Sequence, residues 1–161
     1  IIGVQYSVIG EVVKNFKGLE HRLEEVATVV GVTYFDDSFS TTPETTIAAI
    51  RAFREPLILI VGGSEKGSDF TEMGKVISEA KNIKAVVLIG LMAERVEAGI
   101  SNKEMKILRG AKNMTEIMDQ VRSVAKSGDV VVLSPAAASF DMFKNYKDRG
   151  DQFKEAVREM L

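Results

Sequence analysis

Val130–Phe153 reads VVVLSPAAASFDMFKNYKDRGDQF. The apolar run Val130 to Leu133 ends at Ser134-Pro135, and a turn of small residues leads into an aromatic-studded helix. An unbroken apolar run this short reads as a strand buried on both faces. A strand end followed by a helix start is where open α/β sheets place ligands, because unpaired N–H groups and the positive helix end face one crevice. Ser139 is expected at that helix start, as either a simple cap or a ligand-binding hydroxyl. Phe140, Phe143 and Phe153 read as core residues by default, and Lys144 and Arg149 as surface charges.

The same grammar extends toward the N-terminus. Pro56 to Val61 is a second continuous apolar strand, closed by Gly62-Gly63 and expected in the middle of a sheet. Ala85 to Ile89 ends at Gly90, and Met105 to Leu108 is a weaker strand. Apolar residues at helical spacing separate them: Phe70, Met73, Val76, Ile77 and Ala80, then Met92 to Ala98, then Met114, Ile117, Val121 and Val124. Further upstream, Glu24–Gly31 and Val32–Asp36 read as a hairpin pivoting on Gly31. Thr42 is placed to cap a helix that Pro43 opens, with Ile47, Ile50 and Phe53 on its buried face. Strand and helix alternate with short connectors, which predicts an α/β fold: a mostly parallel sheet with helices on both faces and one antiparallel strand near the N-terminus. Val8, Val12 and Phe16 share one face of an opening helix that Gly18 ends. Residues 1–17 are therefore expected to be a terminal helix left from a preceding domain, and 18–161 the domain itself.

Bulk composition narrows the function. With 161 residues and 45% hydrophobic content the chain can bury one sizeable core. A formal charge of −2 gives no general field for nucleic acid or an anionic membrane. Cysteine is absent, which excludes disulfides and thiolate metal sites and fits a reducing, cytoplasmic setting. The apolar runs are too short to span a bilayer.

Three polar loops follow strand ends, at Asp36 to Thr42, Gly62 to Asp69 and Ser134 to Asn145, and a parallel sheet brings such loops to one edge. In the second, glycines and Lys66 suit an anion or an ordinary turn with a solvated lysine. Gly62 and Gly67 have Walker A spacing, but Ser68 stands where that motif needs lysine, and no G-x-G-x-x-G occurs. The latter absence disfavours a dinucleotide-dependent oxidoreductase. In the first loop Asp36 and Asp37 could hold a ribose, Mg²⁺ or a proton, or be solvated. His21 is the single histidine; beside it, Arg22 has the chemistry of a phosphate contact.

Taken together, Gly18-Leu19-Glu20-His21-Arg22, Asp37-Ser38 with Thr41, Gly62-Gly63 with Lys66 and Asp69-Phe70, and Leu133 to Asp141 through Phe143-Lys144-Asn145-Tyr146 and Arg149-Gly150 resemble the Mur ligases. The resemblance covers residues 18–161, that family's C-terminal domain, and the 134–150 block favours its D-glutamate-adding member. It implies a Rossmann-like lid in an enzyme that uses ATP and Mg²⁺ to convert a UDP-N-acetylmuramoyl-L-alanine carboxylate into an acyl phosphate, which the amine of D-glutamate attacks. This step belongs to peptidoglycan precursor synthesis. The resemblance implies that Thr41 and Lys66 hold the α-carboxylate of D-glutamate, while Ser139, with the backbone at Phe140 and Tyr146, holds its side-chain carboxylate. Arg22 would reach ATP phosphates, Asp37 the ribose, and His21 would lie nearby at a hinge. No catalytic residue or metal ligand is expected in this stretch, since ATP and Mg²⁺ would be bound mainly by a central domain. The isolated fragment should be inactive, and its partners would be the central and N-terminal domains of a monomer. One departure stands out: related ligases usually show Asp-Ser-Lys-Ala-Thr-Asn, and this chain has Asp37-Ser38-Phe39-Ser40-Thr41-Thr42, with Phe39 in place of the lysine. The alternative is a stand-alone Rossmann-like module that binds a dicarboxylate or nucleotide without catalysis.

Overall fold

The computed structural model describes residues 3–64 and 67–161; Lys66, with Glu65, lies outside the described residues. Its elements in chain order are α1 (Tyr6–Asn15), β1 (Glu24–Val29), β2 (Val32–Asp36), α2 (Pro43–Ala52), β3 (Leu57–Gly62), α3 (Thr71–Glu79), β4 (Ile83–Ile89), α4 (Ala93–Gly99), β5 (Lys106–Leu108), α5 (Met114–Arg122), β6 (Val130–Leu133) and α6 (Tyr146–Arg158). The six strands form one sheet in the order β1-β2-β6-β3-β4-β5. Among the described strands only the β1–β2 pair is antiparallel; the other strand pairs are parallel. The hairpin turns at Val30-Gly31, both with positive φ, as a two-residue turn matched to strand twist requires.

Strand periodicity explains the layers. Along β3, Ile58 and Ile60 join one core with Val131, Leu133 and the apolar faces of α5 and α6. Leu57, Leu59 and Val61 join the other, with Val130, Val132 and residues of α2, α3 and α4. Every β3 and β6 residue is buried, which is why neither run alternates with polar residues. Among the described residues no helix is long and apolar enough to cross a membrane.

The topology creates a crevice. From β3 the chain moves outward through β4 and β5, then returns as β6 between β2 and β3. β2 and β3 lead to helices on one face, α2 and α3, whereas β6 leads to α6 on the other. The loop after β6 therefore sits where adjacent connections diverge, the switch point at which open α/β sheets bind ligands.

Two local expectations are corrected. The helix after β6 begins at Tyr146 rather than near Ser139, and Asn145 is its cap, its side chain accepting from Asp148 N. The apolar and small residues 136–143 are consumed instead by an irregular segment in which Ser139 O accepts from Met142 N and Phe143 N. Thr42 does occupy the N-cap of α2, but its side chain caps no backbone N–H. Where α3 crosses α4, a Cβ on Gly74 would lie 2.2 Å from Gly99 O, so the helices meet backbone to backbone. Gly74→Ala should force them apart and destabilise the domain by about 1–3 kcal/mol. An unchanged urea midpoint would show that the crossing has slack.

Candidate functional site

The three loops meet as parallel strand ends require. Gly62 N donates to Pro135 O (2.7 Å) and Ser64 N to Ala138 O (2.8 Å), a one-residue bridge that closes the crevice between β3 and β6. On the other side Asp37 N donates to Leu133 O (2.9 Å) and Ala136 N to Ser40 O (2.9 Å). Ser134 Oγ donates to Asp37 Oδ2 at 2.8 Å, and Thr46 Oγ1 donates to Ser134 O at 3.1 Å. The loop after β6 is thus stitched to both neighbours.

Arg149 completes the stitching from beneath. It is 0% exposed, not a surface charge, because the 3.6-residue period that buries Phe153 and Val157 also turns position 149 inward. All five of its N–H groups are used. Nε donates to Ser38 Oγ (2.9 Å), Nη2 to Ser38 O (2.9 Å) and Ala137 O (3.2 Å), and Nη1 to Ala137 O (3.2 Å) and Ala138 O (3.4 Å). Ser38 Oγ in turn donates to Tyr146 O at 2.7 Å. Burial lowers the guanidinium pKa to about 10, opposed by the charges of Asp141 and Asp36, so it is a cation at neutral pH.

A second segment, residues 20–24, is strapped onto the loop after β2. His21 and Leu23 have positive φ, 60° and 42°, conformations costing about 1–3 kcal/mol each unless the surroundings impose them. Here they are imposed. His21 Nδ1 lies 2.7 Å from Asp36 Oδ2, Phe39 N donates to His21 O (3.1 Å), and Leu23 N donates to Asp37 Oδ1 (3.2 Å). His21 is 2% exposed, and it fits against α6 because that helix has glycine at 150; a Cβ there would lie 2.3 Å from Nδ1. Lys154, 5% exposed on the same face of α6, places its Nζ 3.0 Å from Glu20, 3.4 Å from Glu24 and 3.4 Å from Asp151. His21 forms three-ligand groupings with Glu24 and Asp36 and with Glu20 and Asp151, but the Lys154 ammonium already balances most of these carboxylates.

The expected site residues separate into three environments. Thr41 is half-buried in the loop after β2. Ser139 is 2% exposed, whereas the Phe140 side chain stands 71% exposed and its N–H donates to Ser64 Oγ at 3.3 Å. Tyr146 sets its ring against two others, 4.9 Å from Phe39 and 5.9 Å from His21, both edge to face. Arg22 lies with its guanidinium carbon 4.6 Å above Phe39. Asp37 is 1% exposed with both oxygens already accepting, and Asp36 is 0% exposed; the pair is not solvated. Burial raises both carboxyls above the ordinary Asp range, against the hydrogen bonds they accept.

Ser64 and Lys154 are organising residues that the sequence alone did not single out, and Asp36 and Arg149 organise the site from the interior, not as a solvated carboxylate and a surface charge. The available signal was periodicity: 146, 149, 150, 153, 154 and 157 fall on one helical face, and two of them are cations.

A family model described as "Mur ligase, glutamate ligase domain" matches residues 21–137. The chain belongs to the Mur ligase family. It is 40% identical over 157 residues to the UDP-N-acetylmuramoylalanine–D-glutamate ligase of Desulfitobacterium hafniense (strain Y51), covering 98% of this chain and 34% of that protein. It is 39% identical over 161 residues to the ligase of the same name from Salinibacter ruber, covering 100% and 34%. The chain thus spans about a third of the length of these curated relatives. Among solved structures it resembles the UDP-N-acetylmuramate–alanine ligase MurC of Thermotoga maritima, with a TM-score of 0.66 at 13% identity over 99% of this chain and 35% of that one. The MurF ligase of Thermotoga maritima in complex with ADP gives 0.60 at 19% identity, covering 91% and 33%. At these identities the structural likeness concerns the fold, and it agrees with the layered, mostly parallel sheet.

Two tests follow from this Mur ligase geometry. Arg149→Met leaves the buried Ser38 and Ala137 carbonyls without a donor and takes one of two from Ala138 O, which keeps Ser64 N, and should cost about 3 kcal/mol in urea unfolding. Arg149→Lys, which keeps charge but not the fork, should fall between it and the unmodified chain; equal stability of all three would remove Arg149 from the argument. For Asp37, a folded pKa above the unfolded value of about 3.9 means the folded state holds its proton longer. Its contribution is then most favourable below the unfolded value and declines as pH rises through the raised folded one. Asp37→Asn should remove that decline, so the stability difference between the original chain and the variant should fall from pH 4 to 8. A difference independent of pH would contradict the burial effect.

Proposed function

We propose that this chain is the amino-acid-binding C-terminal domain of an ATP-dependent ligase that adds D-glutamate to UDP-N-acetylmuramoyl-L-alanine in cytoplasmic peptidoglycan precursor synthesis. The observation that carries the reading is the meeting of three polar loops at one switch point, in a chain 39–40% identical over nearly its whole length to ligases of that name. A dicarboxylate needs anion-binding groups at two ends. Thr41 and Lys66 are assigned to the α-carboxylate, and Ser139, the Phe140 backbone and Tyr146 to the side-chain carboxylate. The Phe140 N–H would exchange its 3.3 Å partner, Ser64 Oγ, for a charged acceptor, a favourable trade.

On the nucleotide side, the Arg22 guanidinium suits a phosphate: among the described residues it stacks on Phe39 without an ion pair. Asp37 and His21 point inward and serve that side by shaping the strap and loop rather than by direct contact. ATP would activate the acceptor carboxylate, with Mg²⁺ screening its phosphates and both held mainly by a central domain; this chain's residues bind and orient the incoming amine. The partners are then the central and N-terminal domains of a monomer, with residues 1–17, which include α1, left from the central domain. Exposed Val8 and Val12 on α1, with Phe16 just past its end, support that division, and weigh against the stand-alone binding module, which would bury those residues itself.

The test joins this chain to the upstream domains of the Desulfitobacterium hafniense relative and measures phosphate release with UDP-N-acetylmuramoyl-L-alanine, ATP and D-glutamate. Turnover is expected. Ser139→Ala and Lys66→Ala should each raise the KM for D-glutamate about tenfold or more, as loss of a hydrogen bond to a charged group does, with little change in Tm. Turnover with a different amino acid and none with D-glutamate would overturn the substrate.

A further inference from the structure

The strap and its surroundings hold charged groups that substrate binding does not use. Lys154 is buried in α6, yet its ammonium reaches Glu20 and Glu24, the residues on either side of His21 to Leu23, the segment with left-handed backbone at both His21 and Leu23. Glu24 Oε2 also accepts from His21 N at 2.9 Å, which closes the segment on itself. Asp36 divides its two oxygens, Oδ2 toward His21 Nδ1 and Oδ1 toward Ser38 N at 2.9 Å, so one carboxylate fixes both the strap and the loop it lies on. Burying an ammonium and a carboxylate this thoroughly is costly unless each is fully engaged. Both are engaged with one five-residue segment, which also carries the half-buried Arg22.

Arg22 meets a second arrangement there. Its guanidinium carbon lies 4.6 Å over the centre of the half-exposed Phe39 ring, Phe39 sets an edge-to-face contact with Tyr146, and Tyr146 makes another with His21. The stack runs from the knot under the strap around to the guanidinium on top of it. A guanidinium seated over a ring is held in place by the contact and keeps N–H groups that can donate to two oxygens of one phosphate. A cation at position 39 would repel it.

We propose that Lys154 and Asp36 are positioning residues, and Phe39 the platform, of a single preformed arginine site for the phosphates of a nucleotide. Lys154 clips the two ends of the strap, Asp36 locks its turn through His21, and Phe39 seats the guanidinium of Arg22. The ligand class rests on the nucleotide reading of Arg22 given above; the positioning does not.

The experiment therefore separates the two. In the 161-residue chain, the Arg22 δ-methylene and Nε–H protons should be shifted upfield by the Phe39 ring in NMR spectra. Phe39→Leu should abolish that shift. Lys154→Met should reduce it substantially, and Lys154→Arg, which can still bridge Glu20 and Glu24, should restore it. If Lys154→Met does not fold, the Phe39→Leu and Lys154→Arg spectra still decide. An Arg22 shift unaltered by Phe39→Leu, or one in Lys154→Arg as weak as in random coil, would overturn the positioning. In the joined enzyme, Phe39→Leu and Lys154→Met should raise the KM for ATP about fivefold or more with kcat and the KM for D-glutamate little changed. Loss of kcat alone would overturn a binding role. An Arg22→Ala enzyme with an unchanged KM for ATP would refute the nucleotide assignment while leaving the NMR result standing.

Discussion

One buried guanidinium holds the loops of this domain in register. The loops after β2 and β6 are too irregular to satisfy their own carbonyls, and three of those, Ser38, Ala137 and Ala138, point into the interior. A buried carbonyl without a donor is expensive, and a rigid five-donor fork on a helix satisfies the Ser38 and Ala137 carbonyls and shares that of Ala138 with Ser64 N. The same helix brings Tyr146 to the rim, Gly150 where His21 needs room, and Lys154 under the strap. α6 is consequently both a covering helix of the sheet and the scaffold of the site.

Where that helix can act is decided by strand order. Because β6 returns between β2 and β3 and exits to the opposite face, its loop has a neighbouring loop on each side. A substrate with two carboxylates placed across such a junction meets groups from loops far apart in sequence. In the ligase reading this is why the candidate amino-acid residues come from positions 41, 66, 139 and 146 rather than from one motif.

Much of this was legible in residue order. The apolar runs at Pro56–Val61 and Val130–Leu133 announced fully buried parallel strands, Gly31 the hairpin, and the polar density after each strand the edge that carries the site. Less legible were the insides of loops. Asp36 and Asp37 look like solvated neighbours in a hydroxyl-rich stretch, yet both are buried, since their partners arrive from His21, Leu23 and Ser134. Ser139 looks like a helix cap, but Asn145 has that place, because a cap is defined by where the backbone begins to coil rather than by where the apolar run stops.

What the sequence by itself determined is the succession of elements, the two-faced burial of the sheet and the edge at which polar residues collect. These follow from periodicities of two and 3.6 residues, local properties of a chain. Only the tertiary structure decided which charges are interior. Arg149 and Lys154 share a composition with any solvated helix face, and their burial depends on Ser38, Ala137, Glu20 and Glu24, all more than ten residues away along the chain. A charge enters a protein interior only when its partners are brought to it, and that condition is set by the fold as a whole.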